Sequence, residues 1–131
     1  MRSTALMTVT ALVETGTGLL LLIWPALVFA LLFGWRQVAP ETLLIGRVGA
    51  AGVISIGVAS WPARRDTRTP GELGVLAGVL TYNVLAALLL AFAGAGLKMA
   101  GVLLWPAVVY HAVLATWCVA CWPRRREARR L

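Results

Sequence analysis

The chain has 131 residues, of which 60% are hydrophobic and 13% charged, with a formal net charge of +7 and a mean hydropathy of +0.85. This composition excludes an ordinary soluble domain and is typical of a polytopic membrane protein with one compact domain. The positive charge does not indicate nucleic-acid binding, because the basic residues form short clusters between apolar spans and no basic surface is interleaved with aromatic residues.

Four apolar segments approach or exceed the roughly 20 residues that cross a bilayer. The first covers residues 5–34 and contains Pro25, which predicts a tilted or bent span. We interpret it as a retained helix rather than a signal peptide, because it continues far past a typical apolar signal region. The other predicted spans cover residues 42–61, 73–93 and 100–122, and a basic tail follows at 123–131. The sequence therefore predicts an all-α, four-helix transmembrane bundle in a single membrane domain.

Basic residues are distributed unequally between the two sides of this predicted bundle. With both termini on one side, that side carries nine lysines or arginines and the other carries Arg36 and Lys98. The positive-inside rule then places both termini in the cytoplasm. The interpretation is a multi-pass protein of a bacterial inner membrane whose arginine-rich tail contacts anionic lipid.

Small residues recur at helical spacing in the second and third spans. Transmembrane helices associate closely where small residues let their backbones approach, so these positions predict packing seams. Whether the seams serve the bundle or a homo-oligomer is left open. They are Gly46, Gly49, Ala50, Gly52, Gly57, the series Ala51, Ser55 and Ala59, and the pair Gly74 and Gly78.

Each predicted span carries a strongly polar residue near the middle of the membrane. At a rise of 1.5 Å per residue, Glu14, Asn83 and His111 lie roughly 13 to 17 Å from the cytoplasmic boundary. Tyr82 lies at nearly the same depth, and Arg47 lies about 21 Å from that boundary. A charge inside a membrane is costly unless it is paired, so we expect Glu14 and Arg47 to share a network.

Two interpretations of this polar layer remain open. In the first, the network only fixes the register of the helices. In the second, it lines a small polar cavity in which Glu14 and His111 exchange protons or hold a polar ligand, with Arg47 available for an anionic group. Tyr82 and Asn83 then supply hydrogen bonds, and the five residues form a ligand-binding or proton-handling site.

Cofactor and catalytic motifs give little support to an enzyme. A single histidine cannot supply two axial haem ligands within one chain, which leaves only a haem that bridges a dimer. Cys118 and Cys121 have the spacing of a redox pair. They lie near a helix C-terminus, however, whereas a helix N-terminus is what lowers a thiol pKa, so we interpret them as small buried residues. The sequence shows no catalytic triad, metal-ligand cluster, phosphate loop or dinucleotide fingerprint, and predicts no cofactor.

Residues 18–61 resemble small bacterial four-helix membrane proteins of the DoxX-like kind. The resemblance covers about a third of the chain and rests on a leucine run before Pro25, a Leu-Phe-Gly helix end at residues 32–34, Gly46-Arg47-Val48-Gly49, and Gly57. It implies that Arg47 is a family-like intramembrane arginine. It also implies a membrane subunit associated with a quinone-linked oxidoreductase, in a complex with other membrane proteins.

The segment Glu14-Thr15-Gly16-Thr17 is similar to the first helix of small multidrug resistance transporters, which carry an essential acid there. Those proteins often insert in both orientations, whereas the charge bias of this chain predicts one. The predicted function is therefore a non-enzymatic membrane subunit or small-ligand-binding protein, with a small polar or quinone-like ligand. The alternative is a proton-coupled small-molecule transporter.

Overall fold

The computed structural model describes residues 2–65 and 69–122, and all regular structure in these ranges is helical. The predicted basic tail at 123–131 lies outside the described residues, as does Arg68. Four of the helices, α1, α3, α4 and α5, are long and apolar enough to cross a membrane, which indicates a multi-pass membrane protein. The helices are α1 Arg2–Ile23, α2 Pro25–Phe33, α3 Pro40–Ala63, α4 Pro70–Ala95 and α5 Leu104–Cys121.

The first apolar segment contains two helices instead of one bent span. Trp24 leaves the helical conformation, with φ −133° and ψ 63°, and Pro25 is the first residue of α2. Proline has no backbone N–H, so it interrupts a helix but is well suited to start one. The 22 residues of α1 already extend about 33 Å. The shorter α2 is therefore additional to the span. It ends at Phe33 and is capped by Gly34, whose φ of 77° favours glycine.

Proline also marks the starts of α3 and α4. Pro40 and Pro70 occupy the first turns of these helices. At α4 the side chain of Thr69 accepts a hydrogen bond of 3.2 Å from the backbone N–H of Glu72, as an N-cap residue does. The two helices consequently extend two or three residues beyond the predicted spans at each end, whereas α5 is a few residues shorter than predicted.

Helices α1 and α3 pack antiparallel with their backbones close together. A Cβ atom on Gly18 would lie 3.2 Å from the carbonyl oxygen of Ala50, and one on Gly57 would lie 3.1 Å from that of Ala11. These contacts exclude larger side chains from both positions, as expected where small residues allow close helix packing. They bring the first residues of α1 to the end of the bundle where α3 ends.

Helices α4 and α5 form a second antiparallel pair. Gly94 of α4 packs against Trp105 at the start of α5, while Asn83 of α4 contacts His111 in the middle of α5. A cluster of buried residues joins this pair to α1 near the first residues of α1, which we call the N-terminal end of the bundle. The cluster comprises Leu6, Met7, Leu76, Val79, Leu114 and Cys118.

The predicted packing seams are used only in part. On α3, Gly46, Ala50 and Gly57 are buried against α1 or α2. The remaining small residues on α3, and the pair on α4, are exposed: Gly49, Ala51, Gly52, Ser55, Ala59, Gly74 and Gly78. The bundle therefore uses one face of α3 and leaves the other face uncovered.

Candidate functional site

Glu14 is buried on the inward face of α1, with only 2% of its surface exposed. Inward positions recur three or four residues apart along this helix, at Met7, Thr10 and Glu14. The hydroxyl of Tyr110 on α5 donates a hydrogen bond of 3.4 Å to Oε1 of Glu14. The side chain of Tyr82 on α4 also interacts with this carboxylate. Two phenols from two helices therefore converge on this acid.

Asn83 and His111 form a second hydrogen-bonded pair at the same level. The Oδ1 atom of Asn83 lies 2.8 Å from Nδ1 of His111, and the Nδ2 atom of Asn83 donates to the backbone carbonyl of Val79 at 2.8 Å. The imidazole ring stands edge-to-face to two tyrosine rings, with centroids 5.5 Å from Tyr82 and 5.1 Å from Tyr110. These aromatic contacts and the hydrogen bond hold the ring in one orientation.

We call these five residues the polar cluster: Glu14, Tyr82, Asn83, Tyr110 and His111. All of them except Asn83 line a cavity of about 660 Å³. Its walls come from α1, α2, α4 and α5, and Val53 is the one lining residue from α3. The other lining residues are apolar apart from Thr17: Val13, Leu20, Leu21, Val28, Leu31, Leu32, Leu85, Ala86, Leu89, Leu90, Leu103, Pro106 and Ala107.

The polar cluster lies at one end of the cavity. From Glu14 the lining continues along α1 to Leu21, away from the N-terminal end of the bundle. In the other direction the buried cluster around Met7 and Val79 fills the space between the helices. The bundle therefore has a packed half and a hollow half, and the polar groups lie at the boundary between them.

The short helix α2 covers part of the hollow half. The backbone N–H of Leu103 donates to the carbonyl of Leu31 at 2.9 Å, which ties α2 to the residue before α5. The Cα atom of Gly101 packs directly against the backbone of Leu31 and Leu32, leaving no room for a side chain. This attachment holds Val28 in the cavity wall.

The structure separates Arg47 from Glu14, contrary to the predicted shared network. Arg47 is exposed, and its Nε donates to the backbone carbonyl of Leu22 at 3.2 Å. Leu22 lies eight residues beyond Glu14 on α1, or about 12 Å along the axis. Pro25 provides no N–H and Trp24 is not helical, so carbonyl groups at the end of α1 lack helical donors. Arg47 supplies one such donor. It does not line the cavity, so the structure gives no support for Arg47 as a ligand-binding residue.

One residue of the polar cluster, Tyr110, and one buried polar neighbour of it, Thr10, were not predicted from the sequence. Tyr110 precedes His111 directly and lies at the level of Tyr82. Whether it contacts Glu14 depends on how α5 is rotated about its axis, which the sequence does not show. Thr10 lies one turn before Glu14 and is fully buried, and its Oγ1 has no hydrogen-bond partner in the part of the chain that the structure describes. The spacing of four residues from Glu14 was the available signal for Thr10.

The two cysteines lie in the packed half, away from the cavity. Cys118 is fully buried in the core cluster, Cys121 packs against that cluster, and neither forms a disulfide. Within residues 2–65 and 69–122, no three histidine, cysteine, aspartate or glutamate side chains lie together as a metal site.

In comparisons with known proteins, no family model, no curated protein and no solved structure matches the chain. The site itself is therefore the basis on which we infer the function. The chemistry available there consists of a carboxylate, two phenols and an imidazole, all at one end of an apolar cavity and near the middle of the long helices. Such groups can hold the polar end of a ligand or pass a proton.

Proposed function

We propose that the protein binds a small, mainly apolar molecule inside the membrane and holds its polar group against the polar cluster. One observation carries this proposal: a cavity of about 660 Å³ has apolar walls and polar side chains at one end only. Small-molecule sites commonly have volumes of roughly 300 to 1,000 Å³, with mostly apolar walls and a few convergent polar groups. A quinone-like molecule, with a polar ring and an apolar tail, has this distribution of polarity.

The protein acts in this proposal as a non-enzymatic membrane subunit or binding protein. The DoxX-like resemblance around Pro25 and Gly46-Arg47-Val48-Gly49 supports a connection to a quinone-linked redox complex. We also propose that the protein lies in a bacterial inner membrane with both termini cytoplasmic. The charge bias supports this orientation, because the N-terminal end of the bundle carries Arg64 and Arg65, whereas Arg36 and Lys98 lie at the other end.

Mass spectrometry of the molecules that co-purify with the protein in native lipid tests ligand binding. The wild-type protein is expected to retain a small apolar molecule that a Glu14→Gln variant loses, because the amide changes the acceptor that faces the ligand. A Glu41→Gln variant is the matched control, since Glu41 is exposed in the first turn of α3, and it is expected to retain the molecule. Equal retention by the Glu14 variant contradicts the proposal.

A proton-coupled transporter is the second candidate, and the surroundings of Glu14 favour it. The hydroxyl of Tyr110 donates to this acid and Tyr82 interacts with it, and among the described residues no arginine or lysine is hydrogen-bonded to it. A carboxylate at this depth is costly without a counter-charge, which a bound cation or a proton would supply in alternation. The packed half of the bundle must then open during each cycle.

Transport is tested in proteoliposomes that contain a pH-sensitive dye. If the protein is a transporter, a lipophilic cation added on one side of the membrane enters in exchange for protons, which move in the opposite direction to the cation. This proton movement is expected with the wild-type protein and not with Glu14→Gln. Ligand retention without any proton movement supports the binding protein over the transporter.

A further inference from the structure

We propose that Asn83 is a positioning residue that fixes the tautomer of His111, and that the polar cluster consequently selects ligands whose polar group is a hydrogen-bond donor. The ligand class is an apolar alcohol, phenol or amine, in preference to a ketone, an ether or an anion, so a quinone-like molecule would bind in its reduced, phenolic form. This inference depends on the proposed ligand-binding function and states which chemistry the cavity accepts.

The hydrogen bonds of Asn83 determine which of its amide atoms faces the histidine. A backbone carbonyl only accepts hydrogen bonds, so the atom 2.8 Å from the Val79 oxygen is the amide nitrogen. The amide oxygen therefore faces Nδ1 of His111, also at 2.8 Å. Because this oxygen only accepts, Nδ1 of His111 carries the hydrogen. Both members of the pair are buried, with Asn83 at 0% and His111 at 9% exposure.

A neutral imidazole with a hydrogen on Nδ1 has a lone pair on Nε2. The bond to Asn83 Oδ1 is the hydrogen bond of this ring, so Nε2 has no partner within the described ranges. His111 lines the cavity, and Nε2 is not among the fully enclosed polar atoms without a partner. The nitrogen that remains available to a ligand is therefore an acceptor.

The tyrosines do not supply compensating donors. Each phenol has one hydrogen; the hydroxyl of Tyr110 donates to the carboxylate of Glu14, and Tyr82 interacts with the same carboxylate. Arg47, the intramembrane cation, is bonded to Leu22 instead of facing the cavity. A ligand with only acceptors would leave Nε2 unpaired in an apolar site, which costs binding free energy, whereas an O–H or N–H group satisfies it.

Two measurements test this inference. The first is nitrogen NMR of the protein with isotope-labelled histidine in bilayers at about pH 8, above the range in which histidine ordinarily titrates. His111 is the single histidine of the chain, so the spectrum reports one site. The expected result is a hydrogen on Nδ1 and a bare Nε2. The opposite tautomer overturns the inference without bearing on whether the cavity binds ligands.

The second measurement compares two probes of nearly equal shape, a naphthol and its methyl ether. The protein is titrated in lipid nanodiscs, and empty nanodiscs correct for partition of each probe into lipid. The naphthol is expected to bind about tenfold more tightly than the ether, the effect of one well-paired hydrogen bond. Equal binding overturns the donor selectivity and leaves ligand binding intact. If neither probe binds, the proposed function fails as well.

Variants of Asn83 connect the two measurements. Asn83→Leu has a similar size but no acceptor, so the preference for the naphthol is expected to disappear. Asn83→Asp still accepts from Nδ1 and is expected to keep the preference. A full preference in Asn83→Leu contradicts the positioning role. If Asn83→Leu does not assemble, the wild-type tautomer and probe preference still decide the inference.

Discussion

The hydroxyl of Tyr110 on α5 donates a hydrogen bond to the carboxylate of Glu14 on α1, across 3.4 Å and between residues 96 positions apart in the chain. This bond joins the two helix pairs of the bundle at the depth where the cavity begins. It also replaces the arginine partner that the sequence suggested for Glu14.

Replacing Tyr110 by phenylalanine removes this donor and keeps the ring that contacts His111. We expect the free energy of unfolding to fall by about 1 kcal/mol, the usual net value of one hydrogen bond. Thermal unfolding in nanodiscs measures the loss. Val109→Ala is the control, because Val109 is the preceding residue and is 60% exposed, and little change is expected there. Equal effects of the two substitutions would show that the hydroxyl contributes nothing specific.

Close packing of α1 on α3 depends on Gly57. The Cβ of alanine at this position would lie 2.8 Å from the backbone nitrogen of Thr15, so the helices must separate. We expect Gly57→Ala to destabilise the protein by about 1 to 3 kcal/mol, as overpacking does. Gly49→Ala on the same helix is the matched control, since a Cβ there has no atom within 4 Å. A Gly49 variant as unstable as the Gly57 variant contradicts this packing.

Because Arg47 is bonded to Leu22, its removal is expected to lower the stability of the protein without changing ligand binding. Arg47→Leu removes the donor at the end of α1, and we expect a loss of about 1 to 2 kcal/mol in the free energy of unfolding. Binding of the naphthol probe to the folded variant is expected to stay within about twofold of wild type, because Arg47 does not line the cavity. Loss of probe binding with an unchanged free energy of unfolding would show that Arg47 belongs to the ligand-binding site after all.

The attachment of α2 predicts an effect on the cavity. Alanine at Gly101 would collide with the backbone of Leu31 and Leu32 and displace α2 from its place beside α5. We expect Gly101→Ala to weaken probe binding by about tenfold or more, as displaced cavity walls lose packing contacts. Gly16→Ala is the control, because a Cβ there meets no atom within 4 Å. Unchanged binding in the Gly101 variant would show that α2 is not needed as a wall.

The four spans could be predicted because hydrophobic length is readable along a sequence. That Glu14, Asn83 and His111 lie at one level along the helices was equally predictable, since the rise per residue is constant. Rotation of each helix about its axis was not, because the spans are apolar on nearly all sides and give little amphipathic signal. This is why Tyr110 was missed and Arg47 was placed beside Glu14. The break at Trp24 was unpredictable for another reason, since proline can either kink a helix or start a new one.

The contacts of the glycines could not be predicted from the sequence either. The pair Gly74 and Gly78 matches a known packing motif, but both residues are exposed, and a Cβ at either meets no atom within 4 Å. Gly18, which matches no such pair, lies against Ile54 and Ala50. A small residue permits a close approach but does not select the partner, which depends on the packing of all the helices.

Filling the cavity is the decisive test of whether it binds a small molecule. Ala107→Trp places a large side chain in the cavity wall, and Ala112→Trp places the same side chain on the exposed face of α5. Native mass spectrometry then compares the small molecules bound to the wild type and to both variants. We expect a bound molecule on the wild type and on Ala112→Trp, and none on Ala107→Trp. The same bound mass on all three proteins, or none on the wild type, would contradict ligand binding in the cavity.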